Sequence, residues 1–422
     1  MAIAAAATLP SSETRRAPAS VSGYGSIVLV VGGILLAAAG GIAKASAAED
    51  NNVLDRFWHA YLLGVSYAAS LSLGGLFFVI AHHLTGGRWG TSLRRIAEIV
   101  ASSMPYVALL FIPILANVTI GRDTLYPWNV PAEQLSPLLQ LKEPYLNSSF
   151  FVARSVAYWV IFCCLTWYFV GGSLKQDKTG HVATLRRLSR ASGPSMLVFA
   201  LTLNFAAFDW MMTLAPTWFS TIFGVYYFAG SFIAFLALLQ IIAYALQRMG
   251  VLTQSITTDN RHDAAKLMYA FVVFWGYIAF SQFLLIWYAN VPEETEWFYI
   301  RQQEEPTVYG IPWSLGFLFV THLFIPFLGF MSSAVRRNQV AMVGWSVYML
   351  LVHALDLTFI VMPGTRGYHG YSTFQLLGPM EIMCLFGGLA VVLGAAMRGA
   401  EDKWLLPVRD PRLHQSTTYH NH

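Results

Sequence analysis

Along the chain, apolar runs of about 20 residues alternate with short polar breaks from residue 25 to residue 398. A helix rising 1.5 Å per residue needs roughly 20 apolar residues to cross about 30 Å of hydrocarbon. The runs at 25–46, 57–81, 95–117, 149–170, 194–214, 220–246, 267–290, 313–335, 341–362 and 377–398 each meet that length. The pattern predicts an all-α integral membrane protein with about ten transmembrane helices.

Composition agrees, with 56% hydrophobic and 11% charged residues against roughly 25% charged in an average soluble domain. The first run, behind Arg15-Arg16 and ahead of Ala43-Lys44-Ala45-Ser46-Ala47, resembles a cleavable secretory signal. Its apolar part is longer than a signal core, which predicts a retained helix. Cys163, Cys164 and Cys384 all fall inside predicted spans. They offer no disulfide framework and no Cys-based metal or haem motif, so any electron carrier has to be borrowed.

With ten spans, about 19 of the 26 Lys and Arg fall on the side that holds both termini and the loops at 82–95, 171–193, 247–266 and 336–340. The other side holds about seven, and its 291–312 loop is acidic through Glu293, Glu294, Glu296, Glu304 and Glu305. Retention of positive charge in the cytoplasm predicts that both termini are cytoplasmic. The formal charge of +4 follows from insertion and calls for no nucleic-acid partner.

Two internal matches suggest duplication. Gly64-Val65-Ser66-Tyr67-Ala68-Ala69 resembles Gly224-Val225-Tyr226-Tyr227-Phe228-Ala229, and Ala207-Phe208-Asp209 leads to Pro216 as Ala354-Leu355-Asp356 leads to Pro363. Spans 2–5 (57–214) and 6–9 (220–362) then form two four-helix bundles. An even number of spans per copy makes the repeat parallel. The helices at 25–46 and 377–398 flank the bundles, with tails at 1–24 and 399–422. Gly64 and Gly224 read as close-packing positions.

An ionisable group in hydrocarbon costs about 2.5–3.5 kcal/mol on insertion scales, so each one needs a reason. Glu98, Asp209, His322, His353, Asp356 and Glu381 are such groups. His353 and Asp356, three apart, share a helix face, and His322 falls at a similar depth on the preceding span. Together with Tyr67 and Tyr227 they are candidates for a proton path, with Glu98 as the cytoplasmic uptake point. Each also has a structural reading. Asp209 and Asp356 could bridge to a polar neighbour such as Arg154, Glu98 could pair with Arg94, and Glu381 could favour the positive end of its helix. His59, His82 and His83 are expected at the membrane edges.

From Phe208-Asp209-Trp210-Met211-Met212-Thr213-Leu214-Ala215-Pro216-Thr217-Trp218-Phe219 through Gly224-Val225-Tyr226-Tyr227 to Ser231, and again over Gln282-Phe283-Leu284-Leu285-Ile286-Trp287-Tyr288-Ala289-Asn290-Val291-Pro292-Glu293, the chain resembles the ActF-type membrane subunits of bacterial alternative complex III. These belong to the wider NrfD-like, polysulfide-reductase-type family. The family often carries Glu and His where this chain has Ala215 and Thr217, so no role for those groups carries over. Asp209 and Asp356 match family aspartates.

The resemblance implies a complex that oxidises quinol and passes electrons through iron–sulfur and haem c subunits. Its expected partners are a second NrfD-like membrane subunit, an iron–sulfur subunit, haem c subunits, lipids and the quinol pool. This chain would be a non-redox scaffold and proton route. A second reading places a quinol site at Asp209, Trp210 and His322. A third, from a different class, is an autonomous ion or solute transporter, for which duplication and buried charge are also expected.

Overall fold

A computed structural model of the chain describes residues 16–17, 19–47, 52–121, 124–301, 307–308, 311–364, 377–401 and 403–419. Among these, nine helices are long and apolar enough to cross a membrane. They are α1 (Ala19–Ser46), α2 (Val53–Thr85), the pair α3 (Thr91–Ala101) and α4 (Met104–Thr119), α6 (Ser148–Thr179), α7 (Val182–Trp210), α8 (Phe223–Arg248), α9 (Thr258–Ala289), α14 (Gln339–Val361) and α15 (Pro379–Gly399). Short helices α5 (Pro137–Lys142), α10 (Pro292–Ile300), α13 (Ser333–Arg337) and α16 (Leu413–Thr417) lie between or after them.

The remaining predicted span is the shorter apolar helix Leu315–Met331, built from α11 (Trp313–Leu318), a π-helical turn Phe319–Phe324 and α12 (Ile325–Met331). Pro326 lies just past that turn and has no N–H to give the carbonyl four residues back, a common cause of local rewinding. Arg16 bridges to Trp404 and its guanidinium lies 4.5 Å from that indole, so the segment before α1 and the segment after α15 meet on one face.

Several helices run past their predicted ends because their polar flanks stay helical. The α6–α7 hairpin, for example, turns only at Gly180 in a left-handed C-cap. Ser102 and Ser103 return their hydroxyls to Ile99 O and Val100 O and separate α3 from α4. The acidic outer-loop residues Glu304 and Glu305 lie outside the described residues.

The first helices of the two proposed bundles, α2 and α8, pack on each other at the centre. Around them α2 meets α3, α4 and α7, while α8 meets α9 and α14. Helices α1 and α15 pair tightly and lean on α2, so α2 is enclosed almost along its length. Gly64 permits the α2–α15 approach, since a Cβ there would stand 2.3 Å from the Cys384 carbonyl oxygen. At Gly224 a Cβ would stand 2.0 Å from Asn204 Oδ1 on α7. Both glycines therefore do what their small size suggested. Gly64→Val should lower stability by about 1–3 kcal/mol through overpacking, read as a lower unfolding midpoint in mild detergent.

Two connections of the bundles correspond as well. α5 and α10 each precede the third span of a bundle and each is followed by or ends in a cation aimed at a helix terminus. Lys142 Nζ donates to Pro216 O (2.7 Å), just beyond α7. Arg301 donates to Phe359 O (2.9 Å) and Ile360 O (2.9 Å), in the last turn of α14. Positive charge at helix C-terminal carbonyls complements the helix dipole.

Candidate functional site

The candidate residues divide into two kinds, those held in ion pairs and those gathered in a polar cluster that forms no ion pair among the described residues. Asp209, wholly buried near the end of α7, is of the first kind. Arg154 on α6 grips it with two contacts, Nε to Oδ2 at 2.7 Å and Nη2 to Oδ1 at 3.0 Å. Tyr158 donates to the same carboxylate at 2.8 Å. Arg154 is itself fixed over the rings of Tyr145 (3.8 Å) and Phe150 (4.3 Å) and donates to Tyr145 O (2.9 Å). The bidentate geometry and the extra donor leave Asp209 little spare acceptor capacity.

Glu381 is likewise committed. Arg56 on α2 binds both of its oxygens (2.6 and 3.0 Å), and Oε2 accepts the Gly378 N–H at the start of α15 (2.9 Å). It therefore caps its own helix and ties α15 to α2, as its position at a helix start suggested. Glu98 lies between Arg94 (3.0 Å) and Arg95 (2.9 Å).

That pairing extends further than sequence indicated. Arg94 reaches Asp410 at 2.7 Å, Arg95 pairs with Asp177, and Arg412 also holds Asp410. Burial alone would raise the Asp410 carboxyl, but the guanidiniums of Arg94 and Arg412 outweigh it and hold it well below the usual carboxylate range. Ser416 and Asn260 complete the docking of the C-terminal segment, through Trp89 O and Ser92.

Asp356 is of the second kind. It is buried on α14, and its recorded partners are neutral donors. Tyr226 hydroxyl on α8 bonds Oδ1, and Trp275 Nε1 on α9 bonds Oδ2 at 3.2 Å. Among the described residues no Lys or Arg forms an ion pair with it. One turn away His353 meets Ser70 Oγ on α2 through Nε2 (3.0 Å), while its Nδ1 has no hydrogen-bond partner.

His322, in the π-helical turn, packs edge-on against Trp275 with centroids 3.8 Å apart. Neither of its ring nitrogens has a hydrogen-bond partner among the described residues. A Cβ on Gly230 would lie 3.0 Å from the His353 ring and 3.4 Å from Asp356 Oδ2, so this glycine opens the space in which the groups meet. Four helices and the π turn thus converge on one polar centre in the second bundle.

Tyr67 and Tyr227 line the seam between α2, α8 and α14. Their hydroxyls go to backbone carbonyls, Tyr67 to Leu350 O (3.3 Å) and Tyr227 to Ser66 O (2.8 Å). Tyr67 also lies beside His353, with ring centroids 5.7 Å apart. Thr358 returns its hydroxyl to Ala354 O (2.8 Å) in its own helix.

The grouping of Asp209, Trp210 and His322 does not form. Trp210 stacks on Trp159 (4.9 Å) and donates to Ser155 Oγ (3.2 Å) within the first bundle, whereas His322 packs in the second. Asp209 does border a cavity of about 490 Å³ with Lys142, Tyr145, Phe208, Met212 and Trp218. His59, His82 and His83 lie toward the two ends of α2 and are buried there, because neighbouring helices enclose α2.

Tyr226 and Trp275, the donors to Asp356, were missed among the candidate residues. The only sequence signal was the repeat itself, in which Tyr226 stands where the first copy has Ser66. No protein-family model matches the chain, and no curated protein matches it in sequence.

Proposed function

We propose that the chain is a non-redox membrane subunit of a quinol:electron-acceptor oxidoreductase of the cytochrome c type, and that it contributes a scaffold and a proton-transfer element. It would lie in a bacterial inner membrane with both termini cytoplasmic, beside a second NrfD-like subunit, an iron–sulfur subunit and haem c subunits. The observation that carries the proton reading is Asp356. A buried carboxyl with neutral donors and no ion pair has neither protonation state locked by a counter-charge, and His353 and His322 bring unpartnered ring nitrogens to the same centre. Intramembrane carboxylates and histidines of this kind mark proton relays. Asp209, Glu381 and Glu98 serve the scaffold, because removing either member of such buried pairs leaves an uncompensated charge.

The complex itself is tested by tagging the chain in its host and extracting it in mild detergent. A second ten-span protein, haem c polypeptides and an iron–sulfur subunit should co-purify. A stable, pigment-free chain recovered alone contradicts the proposal and favours the transporter reading.

The cavity bordered by Asp209 supports quinol binding as a second reading. It supplies apolar walls and a rim of polar groups, as a quinone ring requires. A photoreactive quinol would then label the segment between Tyr145 and Phe219.

A further inference from the structure

The α6–α7 hairpin carries a second hollow, of about 540 Å³, on the face that holds both ends of the chain. It is lined by Tyr168, Ala183, Arg186, Arg187, Arg190 and Ala191. The three arginines are exposed, and Arg187 lies 5.6 Å from the Tyr168 ring centroid. On the same face Arg94, Arg95, Arg337 and Arg412 each hold a carboxylate. Arg186, Arg187 and Arg190 form no ion pair among the described residues.

Along the same two helices from this hollow, away from the turn at Gly180, apolar side chains are exposed, among them Val160 and Trp167 on α6 and Leu197 and Leu201 on α7. A ligand that satisfies both parts has to be amphipathic, with an anionic head at the arginines and acyl chains along the helix pair. Tyr168 stands at the boundary between them, the position aromatic residues favour at a membrane surface. Guanidinium forks match phosphate oxygens in pairs, and basic pockets between transmembrane helices on the cytoplasmic side bind anionic headgroups.

We infer that this hollow is a specific site for an anionic phospholipid, with its phosphate held by Arg186, Arg187 and Arg190. The site is separate from the proton cluster and does not depend on that reading. An acidic protein surface would match the arginines but would leave the adjoining apolar strip unexplained.

Titrating cardiolipin or phosphatidylcholine of the same acyl chains into the delipidated full-length protein, read by native mass spectrometry, tests the site. Wild type should bind one cardiolipin tightly and phosphatidylcholine poorly. At about fivefold per basic contact, the triple variant Arg186→Gln, Arg187→Gln, Arg190→Gln should bind roughly 100-fold more weakly. A Lys175→Gln, Lys178→Gln variant at the tip of the same hairpin should bind as wild type does.

Because the arginines are exposed, the triple variant is expected to keep the wild-type unfolding midpoint in lipid-free detergent. If it does not, a photoactivatable cardiolipin on wild type decides, with cross-links to the peptides around Tyr168 and Arg190 supporting the site. Equal binding of the two lipids, unchanged cardiolipin binding by the triple variant, or cross-links elsewhere would overturn it. So would binding of an acidic peptide to the arginines with cardiolipin unable to compete.

Discussion

Asp209→Ala should destabilise the protein by about 3–5 kcal/mol, because it leaves the Arg154 guanidinium and the Tyr158 hydroxyl without their shared acceptor in a buried setting. The partners are specific, with two charge-assisted contacts from Arg154 and a third bond from Tyr158. Thermal unfolding in one detergent should show a large drop in midpoint. The double variant Asp209→Leu, Arg154→Met should recover much of it, since replacing a buried pair with apolar residues is often close to neutral. Recovery of stability by the double variant marks Asp209 as structural. A single variant as stable as wild type would contradict that assignment.

Arg94→Met is the second large effect. Arg94 bridges Glu98 at 3.0 Å and Asp410 at 2.7 Å, with all three side chains essentially buried. Its loss should cost about 3–5 kcal/mol and should weaken the docking of the C-terminal segment. Limited proteolysis should then cut within 403–419, where wild type resists.

The pH dependence follows from Asp410. Its folded-state carboxyl is held below its unfolded value, so the stability it contributes is present above the ordinary carboxylate range. It is lost as pH falls through the depressed folded value. Wild-type docking should therefore hold throughout the neutral and mildly acidic range and loosen only in strong acid. Release of the segment near neutral pH in wild type would contradict the ion-pair account.

The helices were legible because a bilayer forces length and polarity into the sequence itself. All ten predicted runs are helical, even the one whose π turn shortens its regular stretches. The sharing of a face by His353 and Asp356 was legible for a related reason, since spacing along one helix fixes direction.

Contacts between helices distant in sequence were not legible. Arg56 and Glu381 are 325 residues apart, Arg94 and Asp410 are 316 apart, and Tyr226 and Asp356 are 130 apart. Depth in the membrane restricts such pairs but does not say which neighbour a side chain faces. His82 and His83 show the same limit, because they lie near the end of a helix that other helices surround.

Repeat position also proved a poor guide to chemistry. Asp209 and Asp356 precede their prolines by the same interval, yet one meets an arginine and the other a tyrosine and a tryptophan. The difference lies in what the fourth span presents to one and the sixth and seventh present to the other. Duplicated backbones carry different side chains, so one aspartate is gripped by an arginine and the other is met by neutral donors.

The most direct test is the proton release per electron of the complex in sealed liposomes, comparing Asp356→Asn with wild type under quinol turnover. The asparagine oxygen can accept from Trp275 Nε1 while its NH2 donates to the Tyr226 hydroxyl, which then acts as acceptor, so the fold and electron transfer should persist while proton release per electron falls toward the value set by quinol oxidation alone. An unchanged ratio in a variant that turns over normally would contradict a proton-transfer role for the cluster around Asp356.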